Sequence, residues 1–580
     1  MPPSTTLIAA EAAHKPPRHP AGPSRLSHEL SAARRYGPTA SSAPVGPNAA
    51  LLGSPAQSVS DRPPPGHDGG APWTSGIDSN PEADDYLHNP DPKRDRKNDR
   101  AGTVFTSRGV VNIGCLSLLL VGIVTFNNGG FNLGGINASG QVPLITNFAT
   151  VIDEDTPQSA MTYQGYDGKT YDLVFSDEFN KDGRTFFDGD DPYWTAVDLH
   201  YWPTGDFEWY DPSAITTANG SLVITMTQEP IHDLNFKSGM LQSWNKMCFS
   251  GSVYIEVRLS LPGTPAVGGF WPGVWMMGNL GRPGYGATTD GMWPYTYDSC
   301  DIGTLKNQTE PDGEGPALAL TSGNTGGIIS YLPGQRTSAC TCAGEDHPGP
   351  STNVGRGVPE IDIIEGQTDL SYSGGRGQAS QSAQVAPFDA YYQYGNSTPE
   401  IDQYDLDITK WNSYKGGVYQ EAVSSLTYIS RDDYQLTTGG FSIFGFEYYA
   451  DSNNRNDGYI TWVADGQKSW TMNAAAVGPR SNMGIGQRLI SEEPMAMVIN
   501  FGMSNNFQTV NFDDLTWPAH FLIDYVRVYQ TSDGEIGCDP ANYPTQNYIN
   551  AHMNAYTDPN LTIWSQAGYG VPKNSLIDTC

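Results

Sequence analysis

The octapeptide Pro359-Glu360-Ile361-Asp362-Ile363-Ile364-Glu365-Gly366 constrains the fold more than any other stretch of the chain. Unpaired carboxylates are costly to bury, while isoleucines alternating with them argue for a packed strand. The segment therefore reads as a strand with one apolar and one acidic face. On a regular strand residues i and i+2 share a face, so Glu360 and Asp362 point together and Glu365 turns away. A β-bulge between Ile363 and Ile364 adds one residue and returns all three acids to one face. The outer two then stand about 13 Å apart at Cα, at roughly 3.3 Å per residue. Side chains leaning inward on a concave sheet close that to the ~5–5.5 Å required between the two carboxyls of a retaining glycosidase. Asp362, between them, would hold the nucleophile and help keep one neighbour protonated.

The surrounding sequence supports an all-β, antiparallel sandwich. From about residue 165 short β-rich runs alternate with turn chemistry: DLVFSDEF (172–179), SLVITMTQ (221–228), GSVYIEVRLSL (251–261), PMAMVINFGM (494–503) and FLIDYVRVYQ (521–530). Val253, Ile255, Val257 and Leu259 alternate with Tyr254, Glu256, Arg258 and Ser260, the period of a half-buried strand. Asp457-Gly458 and Asp465-Gly466 separate aromatic-rich runs as in a hairpin meander. A Gly/Pro-rich insertion is expected at about 278–358 within a domain spanning 165–532, followed by a C-terminal extension, 533–580.

The region before that domain has another texture. Residues 1–108 hold 17 of the 43 prolines and no apolar periodicity, which reads as a disordered tail. Residues 109–126, GVVNIGCLSLLLVGIVTF, are uncharged and just long enough to span a bilayer as a helix. Lys93, Arg94, Arg96, Lys97, Arg100 and Arg108 precede the run, and no Lys or Arg follows until Lys169. The tail is therefore expected in the cytoplasm, 109–126 as a transmembrane signal anchor, 127–164 as a lumenal stem, and the remainder as lumenal or external. That topology describes a single-pass type II protein of the endoplasmic reticulum, Golgi or plasma membrane. N-x-[ST] triplets at Asn137, Asn219, Asn307, Asn396 and Asn560 all follow the run, as glycosylation in that orientation requires. Six cysteines follow it too (Cys248, Cys300, Cys340, Cys342, Cys538 and Cys580), an even number suited to disulfides, with Cys538–Cys580 the first expected pair. The net charge of −31 disfavours a nucleic-acid partner.

Here the sequence resembles a known family. E-I-D-I-I-E is the bulged form of the signature of glycoside hydrolase family 16, a concanavalin-like jelly roll that cleaves or transfers β-glucans. FSDEFN, GFWPGVWMMGN and IDYVRVYQ occur in the expected order. Residues 269–301 and 380–392 look more narrowly like the fungal β-1,6-glucan synthesis-associated, killer-toxin-resistance family. That resemblance implies Glu360 as nucleophile, Asp362 as its assistant and Glu365 as acid/base. It also implies a role in cell-wall β-1,6-glucan biosynthesis. Gln381 or Gln384 could supply a hydrogen bond where many members of the hydrolase family place a His. No cofactor is required; the fold often carries a structural calcium, for which Asp524 is the candidate.

Trp271, Trp275, Trp293, Tyr295 and Tyr297 cluster near the Gly-rich region, where indole and phenol rings suit the C–H faces of pyranoses. Core packing is the rival reading for each. The expected partners are a β-glucan, the bilayer and wall-synthesis proteins. Two functions stay open: an enzyme of the two-carboxylate type, and a glucan-binding assembly factor with weak or no turnover.

Overall fold

The computed structural model describes residues 151–580. The tail at 1–108, the apolar run at 109–126 and Asn137 lie outside the described residues. The longer strands are β1 (Thr170–Asp177), β2 (Ser221–Met226), β3 (Val253–Ser260), β4 (Trp271–Gly278), β5 (Glu360–Asp369) and β6 (Arg376–Val385). They continue with β7 (Gln420–Ile429), β8 (Ser442–Tyr449), β9 (Tyr459–Ala464), β10 (Gln467–Asn473), β11 (Met495–Gly502) and β12 (Ala519–Gln530). Two antiparallel sheets result. One runs β1–β12–β3–β8–β9–β10, and the other β7–β6–β5–β4–β11.

Alternation decides which face each strand buries. Val253, Ile255, Val257 and Leu259 on β3 meet Val274 and Met276 on β4, Ile361, Ile363 and Ile364 on β5, and Ile499 and Phe501 on β11 in one apolar core. Each such side chain contributes about 1.5–3 kcal/mol when fully buried. The β9–β10 hairpin closes through Asp465 and Gly466, both left-handed (φ 51° and 68°), the two-residue turn that matches strand twist.

The bulge lies within β5. Against β4, Ile364 stands opposite Val274 and Asp362 opposite Trp275, which leaves Ile363 without a counterpart. Against β6, three steps from Asp362 to Glu365 match two from Ser382 to Ser380. An extra residue strands ladder groups that still need partners. Trp462 Nε1–H, stacked on Trp470 with centroids 4.0 Å apart, donates to the Asp362 carbonyl at 2.8 Å. Gln381 Nε2–H donates to the Ile363 carbonyl at 3.1 Å and the Val463 carbonyl at 2.9 Å, while its Oε1 accepts from Ser469 and Thr427. Gln381 is thus a core amide rather than a sugar contact: as an odd-numbered residue of β6 it faces the opposite side from Ser380, Ser382 and Gln384.

The expected Cys538–Cys580 bridge is replaced by Cys248–Cys538, Cys300–Cys340 and Cys342–Cys580. Strand pairing explains this. Phe249 and Ser250 pair with Ile536 and Glu535, which carries Cys538 to Cys248. Backbone bonds from Cys342 to Lys573 and from Ser575 to Cys340 lay the C-terminal segment along the insertion. Asp524, the candidate for a structural calcium, forms an ion pair through Oδ2 with Arg258 on β3. Among the described residues no helix is long and apolar enough to cross a membrane. Asn219, Asn396 and Asn560 are exposed and Asn307 is half-buried.

Replacing Gln381 with Leu preserves approximate size but leaves two buried carbonyls and two hydroxyls short of a partner. The expected loss is about 2–4 kcal/mol, read as a lower denaturant midpoint; an unchanged midpoint would show that the bulge stands without this amide.

Candidate active site

The acidic face is assembled from residues that sit opposite one another across the strands. Ser380 on β6, Glu365 on β5, Gly273 on β4 and Asn500 on β11 form one row. Ser424 on β7, Ser382, Asp362, Trp275 and Val498 form the next. Glu360 stands opposite Met277 and Gln384 in the third. Gly273 is required by close approach, since a Cβ there would lie 2.7 Å from Asn500 Oδ1.

Each acid has its own donors. Trp293 Nε1–H, supplied by the insertion, donates to Glu360 Oε2 at 2.7 Å. Trp271 Nε1–H donates to Glu365 Oε1 at 3.1 Å, and Ser380 Oγ–H to Oε2 at 3.4 Å. Ser382 Oγ–H and Gln384 Nε2–H donate to Asp362 Oδ2 at 2.6 and 3.0 Å. Asp362 is buried, and the two glutamates are half-buried.

Burial raises the proton affinity of all three. It is joined at Glu360 by the charges of Asp362 and Glu365, and at Glu365 by that of Asp362; the indole donors pull the other way. Asp362 is pushed up to about 6 by burial, against the lowering effect of Ser382 and Gln384. Three carboxyls this close share protons rather than ionise together. Such a group can offer an ionised nucleophile and a protonated acid at once.

The structure adds residues that sequence reading missed. The Tyr201 hydroxyl is raised by burial and then by the charges of Glu360, Asp206, Asp362 and Glu365, so it stays protonated, and its ring packs against the apolar cluster that holds Trp275. Trp275 Nε1–H donates to Asn500 Oδ1 at 2.9 Å, Asn500 Nδ2–H to the Tyr210 hydroxyl at 3.0 Å, and that hydroxyl to Asp206 Oδ2 at 3.1 Å. Asn500 was legible in PMAMVINFGM as the polar position of an apolar strand. Tyr201 carries no local signal, because it sits in an irregular connection between Leu199–His200 and Trp202–Thr204, where no periodicity marks which way a ring turns.

Of the expected sugar contacts, Trp271, Trp293 and Gln384 lie at the acids. Trp275 shares their face but is largely buried, with its N–H committed to Asn500. Tyr295 and Tyr297 are corrected: both are fully buried in a separate apolar cluster with Phe388 and Tyr392, and Tyr297 donates to Asp301. Among the described residues no group of three or more His, Cys, Asp or Glu side chains could hold a metal ion.

Because the folded chain binds these protons more tightly than the unfolded chain, the stabilisation is complete below the ordinary carboxylate range. It is lost as pH rises through the folded values, about 6 for Asp362. Thermal stability is therefore expected to fall from about pH 4 to about pH 7, and to fall less in Asp362→Asn, whose missing charge also eases Glu360 and Glu365. Parallel pH profiles for the wild-type protein and this variant would contradict the arrangement.

The sequence model described as beta-glucan synthesis-associated protein SKN1/KRE6/Sbg1 matches residues 74–580. The chain is 43% identical over 526 residues to the beta-glucan synthesis-associated protein KRE6 of Saccharomyces cerevisiae, covering 86% of this chain and 69% of that protein. It is 42% identical over 534 residues to SKN1 of the same organism, covering 86% and 66%. The chain thus spans about two thirds of the length of these relatives. Among solved structures, an endo-beta-1,3-glucanase from Pyrococcus furiosus superposes with TM-score 0.38 at 19% identity, over 65% of this chain and 98% of that one.

Proposed function

The chain belongs to the SKN1/KRE6/Sbg1 family of β-glucan synthesis-associated proteins, and on that premise we propose that its sandwich domain is a retaining glycosidase or transglycosylase acting on β-glucan in wall β-1,6-glucan synthesis. The observation that carries this reading is the shared face of Glu360, Asp362 and Glu365, with an indole N–H fixing each outer acid. Glu365, protonated, donates to the glycosidic oxygen while ionised Glu360 attacks the anomeric carbon. The leaving chain departs as an alcohol, and the sugar is held as an ester on Glu360. Glu365, now ionised, takes the proton of the next nucleophile: water for hydrolysis, a sugar hydroxyl for transfer. Transfer suits a family named for glucan synthesis, because net cleavage builds nothing. Asp362, held by Ser382 and Gln384, keeps a charge beside both glutamates and so helps Glu365 retain its proton.

The apolar run at 109–126, with its basic flank, supports a single transmembrane signal anchor that leaves this domain lumenal or external. In sealed microsomes, added protease is expected to remove residues 1–108 and spare 165–532; digestion of the domain would reverse the orientation.

A second reading, a glucan-binding assembly factor with weak turnover, is favoured by one observation. Glu360 must be ionised to attack, yet burial and its acidic neighbours push it toward the neutral form. A 2-fluoro glycoside separates the two. The enzyme reading expects a covalent adduct mapped to Glu360 by mass spectrometry, and Glu365→Gln is expected to lower turnover by about 10²–10⁴-fold. No adduct, together with full complementation of a wall-defective strain by Glu360→Gln, would favour the assembly factor.

A further inference from the structure

The two ends of the acidic row differ. Toward β11, Trp275 and Val498 pack beneath Tyr210, Met240 and Leu199, so that end of the floor is filled with apolar side chains. Toward β7, the row of Asp362 continues through Ser382 and Ser424, with Leu426 and the small Ala422 on either side of Ser424. A polymer lying across the acids therefore leaves over β7. There Asn412 Nδ2–H donates to Ser424 Oγ at 3.1 Å, and two residues on stands Tyr414, half exposed, whose proton affinity is raised first by its partial burial and then by the charge of Glu365.

Three phenols face solvent here: Tyr414 is 51% exposed, Tyr331 50% and Tyr419 42%. Tyr331 and Tyr419 meet edge to face with centroids 6.2 Å apart. The segment is braced. Asn324 Nδ2–H donates to the Gly416 carbonyl at 2.9 Å, Tyr331 N–H to the Val418 carbonyl at 2.7 Å, and Gln420 Nε2–H to the Tyr414 hydroxyl at 3.2 Å. Rings carried on a braced backbone lose less freedom when they bind than rings on a free loop, and a phenol offers an apolar face with a polar rim. That combination matches a pyranose, with its C–H faces and equatorial hydroxyls.

We infer that Tyr331, Tyr414 and Tyr419 form a ledge that binds a glucan chain beside the acids and presents its hydroxyl as acceptor. The inference rests on the catalytic reading above for the acceptor role, although not for the binding itself. In the transfer step the acceptor oxygen bonds to the anomeric carbon, the bond from that carbon to the Glu360 oxygen breaks and regenerates the carboxylate, and the hydroxyl proton passes to Glu365. Serine-lined floor between the acids and the ledge leaves room for the sugar that joins them.

The test uses the full chain carrying Glu360→Gln and titrates linear β-1,3- and β-1,6-gluco-oligosaccharides by calorimetry. Adding Tyr331→Ala, Tyr414→Ala and Tyr419→Ala together is expected to weaken binding about tenfold, and the corresponding Tyr→Phe changes, which keep the rings, are expected to retain most of it. With Glu360 restored, the alanine changes should lower the ratio of transfer to hydrolysis about tenfold. All three side chains are exposed, so an unchanged melting temperature will verify the fold. Unaltered binding in the triple alanine variant would overturn the ledge. Binding lost in that variant while wild-type protein forms no glycosyl adduct would sink the catalytic reading and leave the ledge standing.

Discussion

One extra residue in β5 governs the rest. It turns Glu365 to the side of Glu360 and Asp362, and the cost is carbonyl groups that no neighbouring strand can bond. Trp462 and Gln381 take them up from within the sandwich. The acids on the concave side are therefore held in phase by hydrogen bonds made on the core side. Trp462 belongs to the other sheet, so the phase of the site depends on the two sheets being packed. A substitution in the hydrophobic interior can in this way misplace a carboxylate it never touches.

The acidic face was legible because period-two patterning and the bulge argument need only β5 itself. The same alternation, carried to β6, separates Ser380, Ser382 and Gln384 from Gln381; sequence reading treated the two glutamines alike because the parity of β6 relative to β5 depends on register. The aromatic cluster shows a second limit. Trp271 and Trp293 reach the acids, whereas Tyr295 and Tyr297 are core, and which side an aromatic ring takes in an irregular insertion is set by tertiary packing with no periodicity to report it. Disulfide pairing failed for a similar reason: proximity along the chain favoured Cys538 with Cys580, while strand pairing near Phe249 and the course of the C-terminal segment over the insertion set the partners.

Asymmetry is the main property that the loops add. The insertion contributes Trp293 to Glu360, and the C-terminal segment packs Tyr548, Tyr556 and Trp564 into the apolar cluster that also buries Met277 and Val498. One flank of the acids is thereby walled, with Tyr201 and the hydrogen-bonded series from Trp275 to Asp206 along its border. The opposite flank stays low and serine-lined. A sheet whose floor is built from simple alternation acquires a direction from segments that have almost no regular structure.

The bridge between Cys248 and Cys538 joins residues 290 positions apart. A ribosome delivers Cys248 long before its partner, and Cys300, Cys340 and Cys342 all emerge in the interval. Oxidation in order of arrival would couple Cys248 to the wrong sulfur. Maturation of this chain therefore calls either for shielding of that thiol until translation has passed Cys538 or for a thiol-exchange catalyst to correct early mistakes.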